Sequence, residues 1–214
     1  MKICLLIMVW SVLLCGRCNA GGREYTVRSP DGKVTVRLVC EDSRLSYSLV
    51  WNEREIFKNS ALSLVPDAEY SVMGAETSSV NSNWETVWGQ FSSVQDHCEQ
   101  MVLKVDVSGI EADLMCRVYN DGVGFRFVVP QQQITSNKPV NFVCEYNSAE
   151  SFKGWFPNGE NEPIGPVPFG KSGKKKMPAV IDAGSGVFIG LLESDLYTAK
   201  EFKTAVISGV RSES

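Results

Sequence analysis

The feature that most constrains this chain is a turn, Asn120-Asp121-Gly122, between two runs of alternating apolar residues. Residues 110–119 alternate before the turn, and residues 123–129 alternate after it. Asn and Asp side chains tolerate positive φ angles, and Gly122 has no Cβ to oppose one. The pattern therefore predicts two antiparallel strands joined by a tight hairpin whose turn uses positive φ.

The rest of the chain repeats this pattern of short strands and turns. Ser29-Pro30-Asp31-Gly32 is typical of a β-turn, with proline setting φ and glycine closing the turn. Further strands are predicted over residues 33–40, 45–51, 56–57, 61–65, 100–107, 140–146, 152–156, 178–182, 187–193 and 205–210. No window shows a convincing 3.6-residue period, so we predict an all-β sandwich.

Two polar segments lack alternation. Residues 66–83 are assigned to a long loop or a meandering edge, and residues 157–177 to a structureless insertion. Insertions of that length inside a compact domain are often functional. No closing element is predicted after residues 205–210.

The totals describe one ordinary globular domain. The chain has 214 residues, of which 43% are apolar and 21% charged, and this is enough for one sizeable core. Its net charge of -4 gives no attraction to polyanions. We therefore predict no binding to nucleic acid and none to anionic membranes.

The first twenty residues have the pattern of a secretory leader. Lys2 precedes an apolar run over residues 3–15, and Cys18-Asn19-Ala20 offers the small residues that signal peptidase needs. We expect cleavage after this segment, which leaves residues 21–214 outside the cytoplasm and free of the membrane. An N-terminal anchor is the alternative, because Arg17 follows the apolar run.

Four of the seven cysteines lie beyond this leader. An even number in an exported chain permits disulfides, with three possible pairings. Three of the four lie inside strand-like runs, where a free cysteine is usually a small buried hydrophobe. We favour free core thiols over disulfides at Cys40, Cys98, Cys116 and Cys144.

Signatures of catalysis are sparse. His97 is the only histidine, which excludes mechanisms that need two imidazoles. Ser185 lies between two glycines but lacks the frame of a nucleophile elbow, and a hairpin loop explains it better. Trp84 and Trp88 are four residues apart beside a glycine. Such aromatics can stack on sugar rings, but in an all-β chain we assign them to the core.

Two carboxylates, Glu160 and Glu162, lie two residues apart in the irregular segment after Trp155-Phe156-Pro157. A hard cation such as Ca²⁺ takes oxygen ligands in loose geometry, so such a pair could serve it. Two carboxylates do not fill a calcium site. From these residues alone, a solvated loop is the better interpretation.

Several segments together resemble one known family. The hairpin sequence RVYNDGVGFRF resembles the NDG-x-x-FR(Y/F) hairpin of the N-terminal domain of glycoside hydrolase family 97. Ser29-Pro30-Asp31-Gly32 resembles the opening of that domain. The segment Trp84-x-x-Val87-Trp88-Gly89 followed by Asp96-His97 resembles its Trp-Gly stretch, and residues 191–197 resemble its late glutamate segment. The resemblance runs in order over nearly all of the mature chain.

This resemblance implies a fold and an activity. Family members are exported bacterial α-glucosidases and α-galactosidases with an N-terminal super-β-sandwich, similar to the galactose mutarotase fold, and a catalytic (β/α)8 barrel. It therefore implies an all-β domain over residues 21–214, incomplete at its C-terminus, in the periplasm after removal of residues 1–20. The implied ligand is an α-linked oligosaccharide. The barrel is expected in cis and carries the catalytic carboxylates, so this chain is expected to be inactive alone.

The resemblance also implies calcium beside the active site. One calcium ligand in the family is a glutamate of the N-terminal domain, in the loop after a Trp-x-Pro strand end. Trp155-Phe156-Pro157 matches that strand end, so Glu162 is the implied ligand and Glu160 the alternative. Such a calcium would polarise substrate hydroxyls and fix the acid carboxylate. The chain would then supply a calcium ligand and a pocket wall to an exo-acting α-glycosidase.

Two other functions stay open. A free-standing carbohydrate-binding sandwich would use Trp84 and Trp88 as a stacking platform and would have no hydrolase activity. A mutarotase-like epimerase follows from fold analogy only, and the single histidine counts against it.

Overall fold

The computed structural model describes residues 22–65, 67–130, 141–148, 150–171, 173–194, 206–208 and 210–213, so the predicted leader lies outside the described residues. The described residues form strands and one 3-10 turn at Phe169–Lys171. No helix among them is long and apolar enough to span a membrane. In chain order the strands are β1 (Arg23–Arg28), β2 (Val34–Glu41), β3 (Arg44–Trp51), β4 (Arg54–Ser63), β5 (Tyr70–Glu85), β6 (Ser93–Val107), β7 (Ile110–Val118), β8 (Val123–Val128), β9 (Val143–Glu145), β10 (Lys153–Phe156), β11 (Ile164–Pro168), β12 (Lys174–Lys176), β13 (Ala179–Gly184), β14 (Val187–Leu191), β15 (Val206–Ser208) and β16 (Arg211–Glu213).

These strands form three antiparallel sheets. The first has eight strands in the order β1-β2-β3-β4-β9-β16-β15-β12. The second has the order β11-β10-β13-β14, and the third has the order β5-β6-β7-β8. Their inner faces contribute side chains to one shared hydrophobic core. The prediction of an all-β sandwich is therefore confirmed.

The core contains the apolar faces that the alternation predicts. Val36 and Leu38 of the first sheet are fully buried, and Leu103 of the third sheet is paired with Leu114 across the ladder. Ile181 supplies the same kind of side chain from the second sheet. Burying one such side chain contributes about 1.5–3 kcal/mol to folding, so these faces fix which side of each strand points inward.

The hairpin at Asn120-Asp121-Gly122 is confirmed, but its turn geometry differs from the prediction. Val118 of β7 pairs with Val123 of β8, and the amide of Tyr119 donates to the carbonyl of Gly122 at 2.8 Å. None of the three turn residues has a positive φ, so that prediction is wrong. Four residues separate the paired valines, and loops of this length are usually built on turns that need no left-handed residue.

The side chain of Asn120 explains the motif better than backbone freedom does. Its Oδ1 accepts a hydrogen bond of 3.0 Å from the amide of Asp31, in the turn between β1 and β2. That turn is built as predicted: Gly32 has a φ of 75°, and its amide donates to the carbonyl of Ser29 at 2.9 Å. Asn120 therefore joins the turns of two different sheets.

Two other sequence predictions need correction, and a third is confirmed in part. Of the two alternatives for the first polar segment, the edge is confirmed and the loop is wrong, because the segment contains β5, a sixteen-residue strand at the edge of its sheet. The segment predicted as a structureless insertion contains β11, the 3-10 turn and β12. The last apolar run is followed by a closing strand, β16, which pairs with β9 and β15. These strands escaped detection because short or exposed strands do not need apolar alternation.

The four cysteines beyond the leader are free thiols. Cys116 and Cys144 are buried in the core as expected, whereas Cys98 is buried outside the core cluster beside Asp96, and Cys40 is half-buried. Burial raises the pKa of all four, and it raises the pKa of Cys144 to about 11. All four are therefore protonated and unreactive at neutral pH.

Candidate functional site

The two candidate calcium ligands lie in the loop between β10 and β11. β10 is an inner strand of the second sheet, and its Phe156 is almost completely buried opposite Ile164 of β11. The chain therefore leaves the core at Pro157 and returns to the sheet at Ile164. Glu160 and Glu162 lie between these points, and both are exposed. The structure places both residues in one loop between two paired strands.

Asparagine side chains hold this loop in shape. The Nδ2 of Asn158 donates to the carbonyl of Glu162 at 3.2 Å. The amide and the Nδ2 of Asn161 both donate to the carbonyl of Asn158, at 3.2 and 3.3 Å. Gly159 adopts the left-handed region with a φ of 64°, which suits glycine at the sharpest point of the loop. The carboxylates therefore project from an ordered turn.

The base of the loop depends on a second glycine. Gly165 has a φ of 145°, and a Cβ placed on it would come within 2.5 Å of the carbonyl oxygen of Gly154 and 2.9 Å of the Trp155 ring. No other residue fits there without moving the backbone of β10. Gly165 thus lets the half-buried Trp155 pack beside the loop that carries Glu162.

The loop has part of the chemistry that calcium needs. Carboxylates are preferred calcium ligands, and Glu160 and Glu162 are free of ion pairs with any described cation. Calcium takes about six to eight oxygen ligands. Among the described residues, no three His, Cys, Asp or Glu side chains come together as a metal site. The loop therefore fits as a contributor to a calcium site completed by groups from elsewhere.

A polar network that the sequence analysis missed lies on the outer face of the third sheet. Arg117 donates to Asp96 at 3.0 Å and to Gln100 at 2.8 Å, and the hydroxyl of Tyr119 donates to Asp96 at 3.0 Å. The hydrogen bond with Tyr119 and the charge of Asp96 raise the pKa of Arg117, which stays charged. Register could have revealed the network, because opposed residues on neighbouring strands share a face.

His97 does not join this network. It lies between Asp96 and Cys98 on β6, is exposed, and is paired with Asn81 of β5. Because successive side chains of a strand point to opposite faces, His97 points away from Asp96. Ser185 is also outside any catalytic arrangement: it has a φ of 54° in the hairpin loop between β13 and β14, as predicted.

The two tryptophans are not in the core, so that prediction is wrong. Trp84 ends β5 and is 54% exposed, and Trp88 lies in the following loop and is 88% exposed. The reason is the length of β5 and β6. Their pairing continues to Glu85 and Ser93, whereas β7 accompanies β6 only as far as Glu99. Residues 80–98 therefore form a two-stranded projection, called the arm below.

Comparison with known proteins shows which family this chain resembles. The sequence model of the family described as glycosyl-hydrolase 97 N-terminal matches residues 27–206. A retaining alpha-galactosidase of Bacteroides thetaiotaomicron is 25% identical, over 86% of this chain and 31% of the relative. The chain therefore spans about a third of the length of this relative.

Solved structures agree on the fold. A glycoside hydrolase family 97 enzyme from Pseudoalteromonas sp. strain K8, in complex with acarbose, matches with a TM-score of 0.73 and 20% identity, over 88% of this chain and 31% of that one. The same enzyme carrying E480Q, in complex with panose, matches with a TM-score of 0.72 and 20% identity over the same shares of the two chains. A beta-arabinopyranosidase matches with a TM-score of 0.69 and 14% identity, over 88% of this chain and 34% of that one. Each of these chains continues well beyond the region that this chain matches.

Proposed function

Because this chain belongs to the glycosyl-hydrolase 97 N-terminal family, we propose that it is the carbohydrate-facing N-terminal domain of a calcium-dependent, exo-acting α-glycosidase. The activity is that of an α-glucosidase or an α-galactosidase. In this role the chain supplies a calcium ligand and part of the pocket wall. The catalytic acid and base come from a (β/α)8 barrel, which we expect in cis in the full-length protein.

The observation that carries this proposal is the exposed Glu160–Glu162 pair on an ordered hairpin. The hydrogen bonds of Asn158 and Asn161 fix the loop, and Trp155 supports its base. Two exposed carboxylates on an ordered backbone suit a shared metal site, because the remaining ligands can approach from a second domain. Glu162 is the proposed ligand, and Glu160 is the alternative.

The residues of this chain position the calcium ion and the pocket wall, and none of them acts as the catalytic acid or base. Calcium, when bound, supplies a positive charge that polarises substrate hydroxyls and steadies the acid carboxylate. Glu162 supplies one ligand of that site, and the ordered turn determines the position of this ligand. The ligand is an α-linked oligosaccharide. Export by the leader over residues 1–20 places this work in the periplasm.

A lanthanide titration tests the metal ligand. Tb³⁺ has the same oxygen preference as Ca²⁺, and the Trp155 ring, which lies beside Gly165 at the base of the loop, serves as the energy donor for its emission. We expect weak, saturable luminescence that Ca²⁺ displaces, reduced at least fivefold in affinity by Glu162→Gln. Glu53→Gln, an exposed glutamate in the turn between β3 and β4, is the matched control and should leave the affinity unchanged. Equal affinity in the wild type and Glu162→Gln would reject Glu162 and direct the test to Glu160→Gln.

An activity assay tests whether this chain hydrolyses substrate without the catalytic domain. The purified chain alone should not turn over p-nitrophenyl α-glucoside or p-nitrophenyl α-galactoside, with or without calcium. Measurable hydrolysis by the pure chain would contradict the assignment of all catalytic carboxylates to another domain.

A further inference from the structure

The arm (residues 80–98) is a ribbon of two strands that leaves the body of the protein. Its pairs run from Val80 with Cys98 to Glu85 with Ser93, and β7 accompanies none of them. Among the paired residues of the arm, only Cys98 is buried. Two-stranded ribbons are marginally stable in water when they stand alone. The arm therefore has little internal support along most of its length.

Its base is anchored firmly. Asp96 accepts hydrogen bonds from Arg117 and from Tyr119, both at 3.0 Å, and both donors belong to the body. The loop at the other end is also ordered: the amide of Thr86 donates to the carbonyl of Ser92 at 3.1 Å, and its hydroxyl donates to the carbonyl of Phe91. The arm is therefore held at its base and ordered within its tip loop, and the ribbon between them has the least support.

The tip is apolar and almost fully exposed. The exposed fractions are 54% for Trp84, 98% for Val87, 88% for Trp88 and 69% for Phe91. With about 150–250 Å² for each aromatic side chain, these residues expose on the order of 500 Å² of apolar surface. That is comparable to the largest patch on an ordinary monomer, and such patches are usually interaction sites.

The low charge of the tip limits the chemical classes of partner that it can bind. Glu85 is the only charged side chain between residues 80 and 95. A surface with a single negative charge suits neither a polyanion nor a strongly charged peptide. Val87 and Phe91 extend the patch beyond two sugar-stacking tryptophans, which favours an apolar protein surface over a sugar. The relatives whose first third this chain matches have a further two-thirds of polypeptide to supply such a surface.

We propose that the tip of the arm docks onto the catalytic domain that forms the remainder of the full-length relatives, in an apolar, uncharged recess of that domain. This inference rests on the proposed function, because it requires a catalytic partner. Docking would support the weak end of the ribbon and bury Trp84, Val87, Trp88 and Phe91. It would also fix the orientation of the domain relative to the partner.

The test mixes the chain with the remaining two-thirds of the Bacteroides thetaiotaomicron and Pseudoalteromonas relatives, each produced separately and checked for folding by circular dichroism. We expect a 1:1 complex by sedimentation velocity with at least one relative, and a blue shift of tryptophan emission. The double variant Trp84→Ser/Trp88→Ser should weaken the complex at least tenfold. Phe188→Ser, which removes a 63% exposed apolar side chain from β14, is the control and should not weaken it.

Four results would overturn the proposal. They are no complex with either relative, equal affinity in the double variant, self-association of the chain that the double variant abolishes, and a saturable blue shift of the free chain with panose. Circular dichroism of each variant separates lost docking from lost folding. The Tb³⁺ titration of the loop carrying Glu162 needs no partner, so docking and metal binding fail independently.

Discussion

The two halves of β6 have the same backbone conformation and opposite surroundings. Residues 99–107 run between β5 and β7, and Leu103 and Val105 there are completely buried. Residues 93–98 pair with β5 alone, and only Cys98 among them is buried. A strand is therefore stabilised by what covers its faces, and hydrogen bonding to one neighbour does not make it part of a core.

The largest expected effect is in the buried half of β6. Leu103→Ala removes a fully buried side chain and leaves a cavity beside Leu114, so the free energy of unfolding should fall by about 2–5 kcal/mol. Urea denaturation followed by circular dichroism measures it. A loss below about 1 kcal/mol would show that this half of the strand is no better packed than the arm.

A second prediction extends the comparison to the candidate metal loop, which is exposed but grows from a packed strand. Gly165→Ala would force a Cβ to within 2.5 Å of the carbonyl oxygen of Gly154, in a backbone region that disfavours alanine. We expect a loss of about 2–4 kcal/mol in the free energy of unfolding. Gly159→Ala is the control, because a Cβ there meets open space. Strain from its φ alone should cost about 1 kcal/mol. Equal losses would mean that the base of the loop is not packed.

A third prediction concerns the closing strand β16 and its dependence on pH. Burial opposes the charge of Glu145, but hydrogen bonds from Arg211 and the Ala61 amide outweigh it and lower the pKa of this carboxyl. A lowered pKa in the folded state means that the stabilisation is complete above the unfolded pKa, about 4.3, and is lost as pH falls through the folded pKa.

Arg211→Ala should therefore lower the free energy of unfolding by about 1 kcal/mol at pH 7, the range of a partly exposed ion pair. The difference between the variant and the wild type should shrink as the pH falls from about 4.3 through the lowered folded pKa, where the carboxyl of the folded protein becomes protonated. Urea unfolding at pH 7, 5 and 3.5 measures both effects. A difference that stays constant with pH would remove Glu145 from the explanation.

The smallest effect is expected at the arm tip. Trp88→Ser removes a side chain that touches little of the body, so the free energy of unfolding should change by less than about 0.5 kcal/mol. Acrylamide should quench the emission of the wild type strongly and that of Trp84→Ser/Trp88→Ser weakly. A destabilisation above about 2 kcal/mol, or equal quenching, would place the tip against the body.

The strands of the body are predicted well from the sequence because each has one solvent-exposed face and one buried face. Val34, Val36 and Leu38 alternate for that reason, and they are buried as predicted. Both faces of the arm are open to solvent, so apolar and polar residues do not alternate along it. The sequence predicts a core position for the tryptophans at its tip, and this is wrong because apolar character alone does not tell whether a strand extends past its neighbours.

The position of the candidate site along the chain can be predicted from the sequence, but the local geometry of its loop cannot. The family resemblance led to the loop after Pro157, whereas the hydrogen bonds of Asn158 and the packing of Gly165 depend on which strands neighbour β10. The Asp96–Arg117 pair was hidden for the same reason, since it joins residues 21 positions apart through the register of β6 and β7. Spacing along the chain does not reveal pairs that strand register creates.

We propose that this domain donates Glu162 to a calcium site shared with a catalytic domain. A crystal structure of the chain bound to a catalytic domain, grown with calcium, tests it most directly. We predict a Glu162 carboxylate oxygen within about 2.3–2.6 Å of the ion, with the remaining ligands from the partner and water. A calcium ion at the substrate pocket with no ligand from residues 158–163 would contradict the account.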